Sequence, residues 1–302
     1  MGDFSAPKLD VVKVAFIGVG ARGSGHAKQI ASIEGTEIVG ISDLYKDLAE
    51  KSSIICQEIG NGKRHKNIAI YSGNKNKWIA MLEEVKPDAV FISTNWDNHA
   101  PMTIQTMKSG AHAFVEVPMA TTIEDLWDIV NTSEKTRRHC MMMENVNYGR
   151  DELMYLNMCR KGIIGDFLHA EAAYIHELRF QMKEEERGTG SWRTHHYAKS
   201  KGNLYPTHGL GPVAQYMNLA RGEDNFNSIV SYSTPSLGRR LYAEKNYESS
   251  HKWNKLNYSN GDMNTSIIKT NLGRTIMIQW DETSPRPVSY THLRAHETRG
   301  KR

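Results

Sequence analysis

Val12-Lys13-Val14-Ala15-Phe16-Ile17-Gly18-Val19-Gly20-Ala21-Arg22-Gly23 is the stretch on which the fold turns. Its β-branched and aromatic run predicts a buried strand, and it passes directly into a Gly-x-Gly-x-x-Gly string ahead of a helical pattern at His26–Ile33. In that context each glycine has its own task. Gly18 makes the tight turn, Gly20 lets the main chain approach a pyrophosphate, and Gly23 lets helix and strand pack closely. The phosphates would lie at the positive end of the helix. Asp43 ends the next strand pattern, twenty residues past Gly23, where a carboxylate binds both ribose hydroxyls and repels a 2′-phosphate. Together these predict a dinucleotide site that prefers NAD to NADP.

Strand patterns at Val12–Val19, Glu37–Ser42, Ala69–Tyr71, Ala89–Ser93, His112–Glu116 and Cys140–Glu144 alternate with helical ones. The later helices are expected at Leu44–Ile59, Lys77–Val85, Pro101–Ser109 and Ile123–Glu134, the last capped by Thr121 or Thr122. This alternation is α/β in class, a Rossmann-type doubly wound parallel sheet, and it fills residues 1–147. From 148 the texture changes. A helix near Asp151–Arg160 precedes strand patterns at Leu168–His176 and Ser228–Ser233, then a hairpin from Thr265–Thr270 to Arg274–Trp280 turning at Asn271-Leu272-Gly273. Residues 148–287 are therefore read as an α+β substrate domain with a mostly antiparallel sheet, incomplete at its end. Gly188–Gly211 is rich in Gly, His, Tyr and Trp without periodicity and is expected to be a site-forming loop.

Composition excludes several function classes. The 302 residues are 39% hydrophobic and 24% charged, ordinary for a globular protein of two domains. Of the net charge of +4, most sits in Val288–Arg302, so the body lacks the excess that tracks phosphates, and no nucleic-acid partner is expected. No apolar run reaches the roughly 18 residues of a membrane span, and Met1–Val11 lacks the layout of a secretory signal. Cys56, Cys140 and Cys159 are too few and scattered for a disulfide framework or a zinc site, and are expected to be reduced. The thirteen histidines include His195-His196, but no His-Glu-x-x-His or paired-cysteine spacing occurs. No metal is expected, and that pair is placed on a surface loop.

Ligands of open α/β sheets bind beyond the carboxyl ends of the strands. Those ends run here into Thr94-Asn95-Trp96-Asp97-Asn98-His99, Glu116-Val117-Pro118 and Glu144-Asn145-Val146-Asn147-Tyr148. The element order, the glycine turn, Asp43 and the Glu-x-Pro string resemble the Gfo/Idh/MocA superfamily of sugar-handling dinucleotide proteins. Most of its dehydrogenases carry a lysine where this chain has Val117. That string, with Trp96-Asp97-Asn98-His99, Arg193 and Gly202-Asn203-Leu204-Tyr205-Pro206-Thr207-His208-Gly209, is similar to glycoside hydrolase family 109, the NAD-dependent α-N-acetylgalactosaminidases. The likeness covers Val11 to Pro287. It implies NAD contacts at Ala21, Arg22, Asp43, Trp96, Asp97, Asn98, His99, Glu116, Val117, Asn145, Tyr205, Pro206, Thr207 and His208. It implies sugar contacts at Tyr174, Arg193 and Tyr205. Strand alternation adds His176, two residues from Tyr174 and on the same face, a pattern that a solvent-facing sheet would also show.

The resemblance also implies a chemistry. Oxidation of the sugar at C3 gives a ketone that acidifies the hydrogen at C2, elimination expels the glycosidic oxygen from C1, water adds, and NADH held in the site re-reduces C3. Such a route does not need the paired carboxylates of ordinary glycosidases. Tyr174 is assigned as base at C2, His208 as polariser or proton carrier at the C3 hydroxyl, and Arg193 as the anchor; the first two roles are exchangeable. Two other readings stand beside it: an NAD-dependent sugar or polyol dehydrogenase, against which Val117 counts, and an inactive NAD-binding fragment or sensor. Family members are often exported, which leaves the compartment unassigned and an upstream signal open; a homo-oligomer is open too. Ser284-Pro285-Arg286-Pro287 still matches the family, whereas Val288–Arg302 resembles a translated sequencing adapter, with Tyr290 out of register. Residues 288–302 are thus expected to be foreign to the fold and without packed partners, and the chain to be C-terminally truncated.

Overall fold

The computed structural model describes residues 4–61, 64–284 and, as backbone alone, 289–291. Contacts divide the chain into two compact units between Met143 and Glu144. In the first, six strands form one parallel sheet: β1 (Val12–Ile17), β2 (Thr36–Asp43), β3 (Ala69–Ser72), β4 (Ala89–Ile92), β5 (His112–Val115) and β6 (Cys140–Met142). Five helices make the crossovers: α1 (Gly23–Ser32), α2 (Lys46–Ile59), α3 (Lys77–Val85), α4 (Trp96–Lys108) and α5 (Ile123–Thr136). The strand order is β3-β2-β1-β4-β5-β6, so the winding reverses at β1 and opens a crevice beyond its carboxyl end, where Gly18 begins.

The apolar run of β1 follows from its central place, covered on both faces. Val14 and Phe16 pack with Ala27, Ile38 and Cys56 on one side, while Ala15 and Ile17 pack with Met81, Leu82 and Met102 on the other. Burying a side chain such as Phe16 contributes roughly 1.5–3 kcal/mol, enough to make this strand the unit's axis. Thr122 caps α5, its hydroxyl accepting from Asp125 N at 3.1 Å. One boundary differs from expectation: α4 starts at Trp96 and takes Pro101 inside the helix. Proline usually marks a helix start, but burial of Trp96, His99 and Ala100 holds the preceding turn helical.

The second unit contains α6 (Arg150–Arg160), β7 (His169–Ile175), α7 (Thr189–Lys199), α8 (Thr207–Tyr216), β8 (Phe226–Ser233) and α9 (Gly238–Asn246). It continues with β9 (Met263–Thr270), β10 (Thr275–Asp281) and β11 (Ser289–Thr291). The sheet order is β11-β7-β10-β9-β8; β7 and β10 run parallel and the other three pairings are antiparallel. The hairpin turns through Gly273 at φ +84°, a left-handed conformation that glycine adopts without strain. Ala172, Val213, Met217, Ile276 and Ile278 form the core between sheet and α8.

Two expectations are corrected here. Gly188–Gly211 is not a loop: it holds all of α7 and the start of α8. Its period was hidden because the buried residues of α7 are Gly190, Thr194, His196 and Tyr197, with no aliphatic stripe among them. His195 and His196 therefore lie on α7, the first exposed and the second buried. Second, Ser289–Thr291 is not without partners, because it pairs with β7 through Ser289 to Ile175 and Thr291 to Ala172, using backbone groups that need no particular sequence. The rest of 288–302, and the side chain of Tyr290, lie outside the described residues. No helix among the described residues is long and apolar enough to cross a membrane.

Candidate active site

The first unit supplies a dinucleotide cradle. Gly18 has φ +84°, and a Cβ there would sit 2.5 Å from the Ser93 carbonyl oxygen; one at Gly23 would sit 2.0 Å from the Gly18 oxygen. Both positions therefore admit only glycine. Around Gly20 no atom would lie within 4 Å, so the main chain is open on the side where a pyrophosphate would approach. α1 then starts without an acidic residue in its own first turn. Asp43 is fixed at the end of β2: Oδ2 accepts from Val19 N at 2.8 Å and Oδ1 from Tyr45 N at 2.9 Å. Each oxygen keeps a lone pair that a ribose hydroxyl can use. These residues fit a dinucleotide.

Glu116 ties the glycine turn to the Glu-Val-Pro string. Its Oε1 accepts from Arg22 Nε at 3.0 Å and lies 2.6 Å from His26 Nε2, while Oε2 accepts from Val117 N at 3.2 Å. Burial pushes this carboxyl up, but His26 and Arg22 outweigh it and hold it below its ordinary value. His26 was not singled out from sequence; standing a turn into α1, it had no motif to mark it. Val117 is buried and apolar, so position 117 offers no proton. His99 is buried, its Nδ1 2.7 Å from the Pro118 oxygen and its Nε2 3.1 Å from the Thr94 oxygen. Burial also lowers its pKa. Trp96 is buried and Asp97 exposed in the first turn of α4, where Asn98 donates to Asn95 Oδ1 at 2.6 Å; Ala21 and Arg22 are exposed.

The second unit supplies a stacked aromatic and cationic cluster. Glu144, 1% exposed, accepts from Val146 N at 3.0 Å and Asn147 N at 2.8 Å, which holds the carboxylate still. Its Oε1 lies 2.6 Å from His208 Nδ1. A carboxylate accepts only, so Nδ1 carries the proton and Nε2 is the nitrogen able to take one. His208 comes within reach because α8 packs tightly on β7: a Cβ on Gly209 would lie 2.8 Å from that of Ala172. Pro206 precedes the helix, its oxygen accepting from Leu210 N at 2.8 Å, and Thr207 opens it. Asn145 is exposed beside Glu144.

The rings of Tyr174, Tyr205 and His208 stack on one another, with centroids 5.0 to 5.4 Å apart. Tyr174 is buried, so the solvent-facing alternative does not hold for it. Arg193 donates Nη2 to the Tyr205 hydroxyl oxygen at 2.6 Å and Nη1 to Gln181 Oε1 at 3.4 Å. Burial opposes its charge, but Tyr205, Glu282 and Tyr174 favour it and raise its pKa further. His176 follows β7, its ring 6.1 Å from Tyr174, and burial lowers its pKa. Glu144 and Gln181 were not assigned from sequence. Glu144 stood in a quoted strand end, but nothing local marks the partner sixty-four residues away.

A glycine-turn Rossmann unit with an acid at the end of β2 defines the nucleotide-binding domain of an oxidoreductase-type protein, here followed by a domain bearing a histidine–carboxylate pair. Residues 12–144 match the oxidoreductase family with an NAD-binding Rossmann fold, and residues 148–301 match the glycosyl hydrolase 109 C-terminal domain. The glycosyl hydrolase family 109 protein 1 of Akkermansia muciniphila is 62% identical over 97% of this chain and 60% of its own length. The alpha-N-acetylgalactosaminidase of Shewanella oneidensis is 54% identical over 95% of this chain and 62% of its own length. The chain thus spans about three fifths of these relatives. Among solved structures, myo-inositol dehydrogenase from Lactobacillus casei has a TM-score of 0.63 at 19% identity, covering 92% of this chain and 69% of that one. An NAD binding oxidoreductase from Klebsiella pneumoniae has a TM-score of 0.69 at 14% identity, covering 93% and 69%. These two share the fold. The chain belongs to glycosyl hydrolase family 109, and residues 12–144 are its NAD-binding domain.

Proposed function

We propose that this chain is the NAD-binding and catalytic part of a glycosidase that cleaves α-N-acetylgalactosaminides through transient oxidation at C3. The observation that carries this reading is the Glu144–His208 pair stacked against Tyr174. Bound NAD supplies one capacity, taking up the C3 hydrogen and returning it when the cycle closes. The chain's own residues do the rest. His208 Nε2 takes the proton of the C3 hydroxyl, with Glu144 fixing the tautomer and stabilising the cation that results. Tyr174 removes the C2 proton once C3 is a ketone. Arg193, held by Tyr205, donates to the sugar and orients it. The name of the Shewanella oneidensis relative and the family membership support the sugar class.

Val117 disfavours a simple dehydrogenase, since no lysine stands there to shuttle the hydroxyl proton. A chromogenic α-N-acetylgalactosaminide, incubated without added NAD, separates the readings. Released aglycone without accumulating NADH supports the glycosidase; NADH alone supports a dehydrogenase; neither signal from the 302-residue chain makes it a binding fragment. Substrate deuterated at C2 should lose its label to solvent during turnover. Complete retention of deuterium in the product would reject the elimination route even where hydrolysis is seen.

A further inference from the structure

Arg193 and Tyr197 are four residues apart on α7 and share one face of the helix. Arg193 reaches Tyr205. Tyr197, buried, donates its hydroxyl to Oε2 of Glu282. The same oxygen accepts from Arg239 Nη2 at 3.0 Å, and the Arg239 guanidinium carbon lies 3.4 Å from the centre of the Tyr197 ring. Glu282 and Arg239 are 0% and 4% exposed. Glu282 follows β10, whose Trp280 and Asp281 lie in register beside Tyr174 and Ile175, and its carbonyl oxygen accepts from Leu178 N at 3.1 Å. The carboxyl thus rides on the strand next to the one that carries Tyr174 and grips the helix that carries Arg193. A carboxyl without solvent is costly to keep, and the proposed chemistry leaves this one unused.

We infer that Glu282 is a positioning residue for Arg193: its Oε2, held by Arg239, fixes Tyr197 and so the turn of α7 that presents Arg193 to Tyr205. The consequence for sugar binding rests on the reading of Arg193 as the anchor; the consequence for Arg193 itself does not.

The test uses the whole chain and three variants. Tyr197→Phe keeps the ring and removes the hydroxyl, Glu282→Leu removes the acceptor, and Glu282→Gln keeps an acceptor oxygen. The affinity for N-acetylgalactosamine is measured by calorimetry, and the Arg193 guanidinium is followed by nitrogen-15 NMR, assigned with Arg193→Lys. Tyr197→Phe and Glu282→Leu should weaken sugar binding about tenfold, a difference of about 1.4 kcal/mol. Both should shift and broaden the Arg193 signals, while Glu282→Gln should restore wild-type behaviour. Should the leucine variant not fold, the phenylalanine variant carries the test. Arg193 signals unmoved in Tyr197→Phe, or a glutamine variant as impaired as the leucine one, would overturn the inference. A wild-type chain with no affinity for the sugar would instead reject the proposed function, and the Arg193 signals alone would then decide the role of Glu282.

Discussion

Replacing Glu144 by glutamine preserves size and removes one acceptor. Oε1 serves Val146 N and His208 Nδ1, and Oε2 serves Asn147 N. An amide can place its oxygen at only one of these positions. With oxygen toward Val146 and His208, its NH₂ faces the Asn147 N–H, two donors without an acceptor. In the opposite orientation the NH₂ faces the Val146 N–H, and Nδ1 of His208 must give up its proton, which moves the hydrogen to Nε2 and removes the base. At 1% exposure no solvent repairs either arrangement. Losing one charge-assisted bond and leaving a buried N–H unpaired costs about 2–4 kcal/mol together. At roughly 2–4 °C per kcal/mol for domains of this size, the unfolding midpoint of the second unit should fall by about 5–15 °C. Scanning calorimetry reads that shift. Glycosidase turnover should drop by about 10²–10⁴, the range of a lost general base. A midpoint within about 1 °C of the unmodified chain, with the His208 tautomer unchanged by NMR, would refute the assignment of these bonds.

Three further expectations follow from single contacts. Asp43→Ala should narrow the preference for NAD over NADP, because the like charge beside a 2′-phosphate is gone; equal affinity of the unmodified chain for both cofactors would reject the role of Asp43. Gly190→Ala places a Cβ 1.7 Å from the Gln181 carbonyl oxygen, a backbone atom that cannot yield, and should cost about 1–3 kcal/mol in thermal unfolding; unchanged stability would show that α7 does not approach so closely. Burial raises the Glu282 carboxyl from 4.5 to about 8, against the opposing pull of Arg193. The folded state then binds a proton that the unfolded state releases, so this contribution is complete below 4.5 and is lost as pH rises through about 8. Glu282→Gln should flatten that part of the stability profile, and an unchanged slope in the variant would count against it.

The alternating apolar and amphipathic segments from Val12 to Met142 determined the Rossmann half, because strand period, helix period and glycine turn are local properties that burial on a parallel sheet reinforces. The cradle was legible for the same reason: Gly18, Gly20, Gly23 and Asp43 act through backbone geometry and a fixed spacing. The helix over Thr189–Lys199 was not, since its buried face is polar and aromatic and imitates a loop. Nor were the partners of His99, two carbonyl oxygens that only folding brings together. The same holds for Arg22 and His26 on Glu116, for Glu144 on His208, and for Tyr197 and Arg239 on Glu282. Apolar burial repeats along a chain and can be read from it. The partner of a buried charge is one group, often dozens of residues away, and the tertiary structure alone selects it because only there is the cost of leaving that charge unpaired felt.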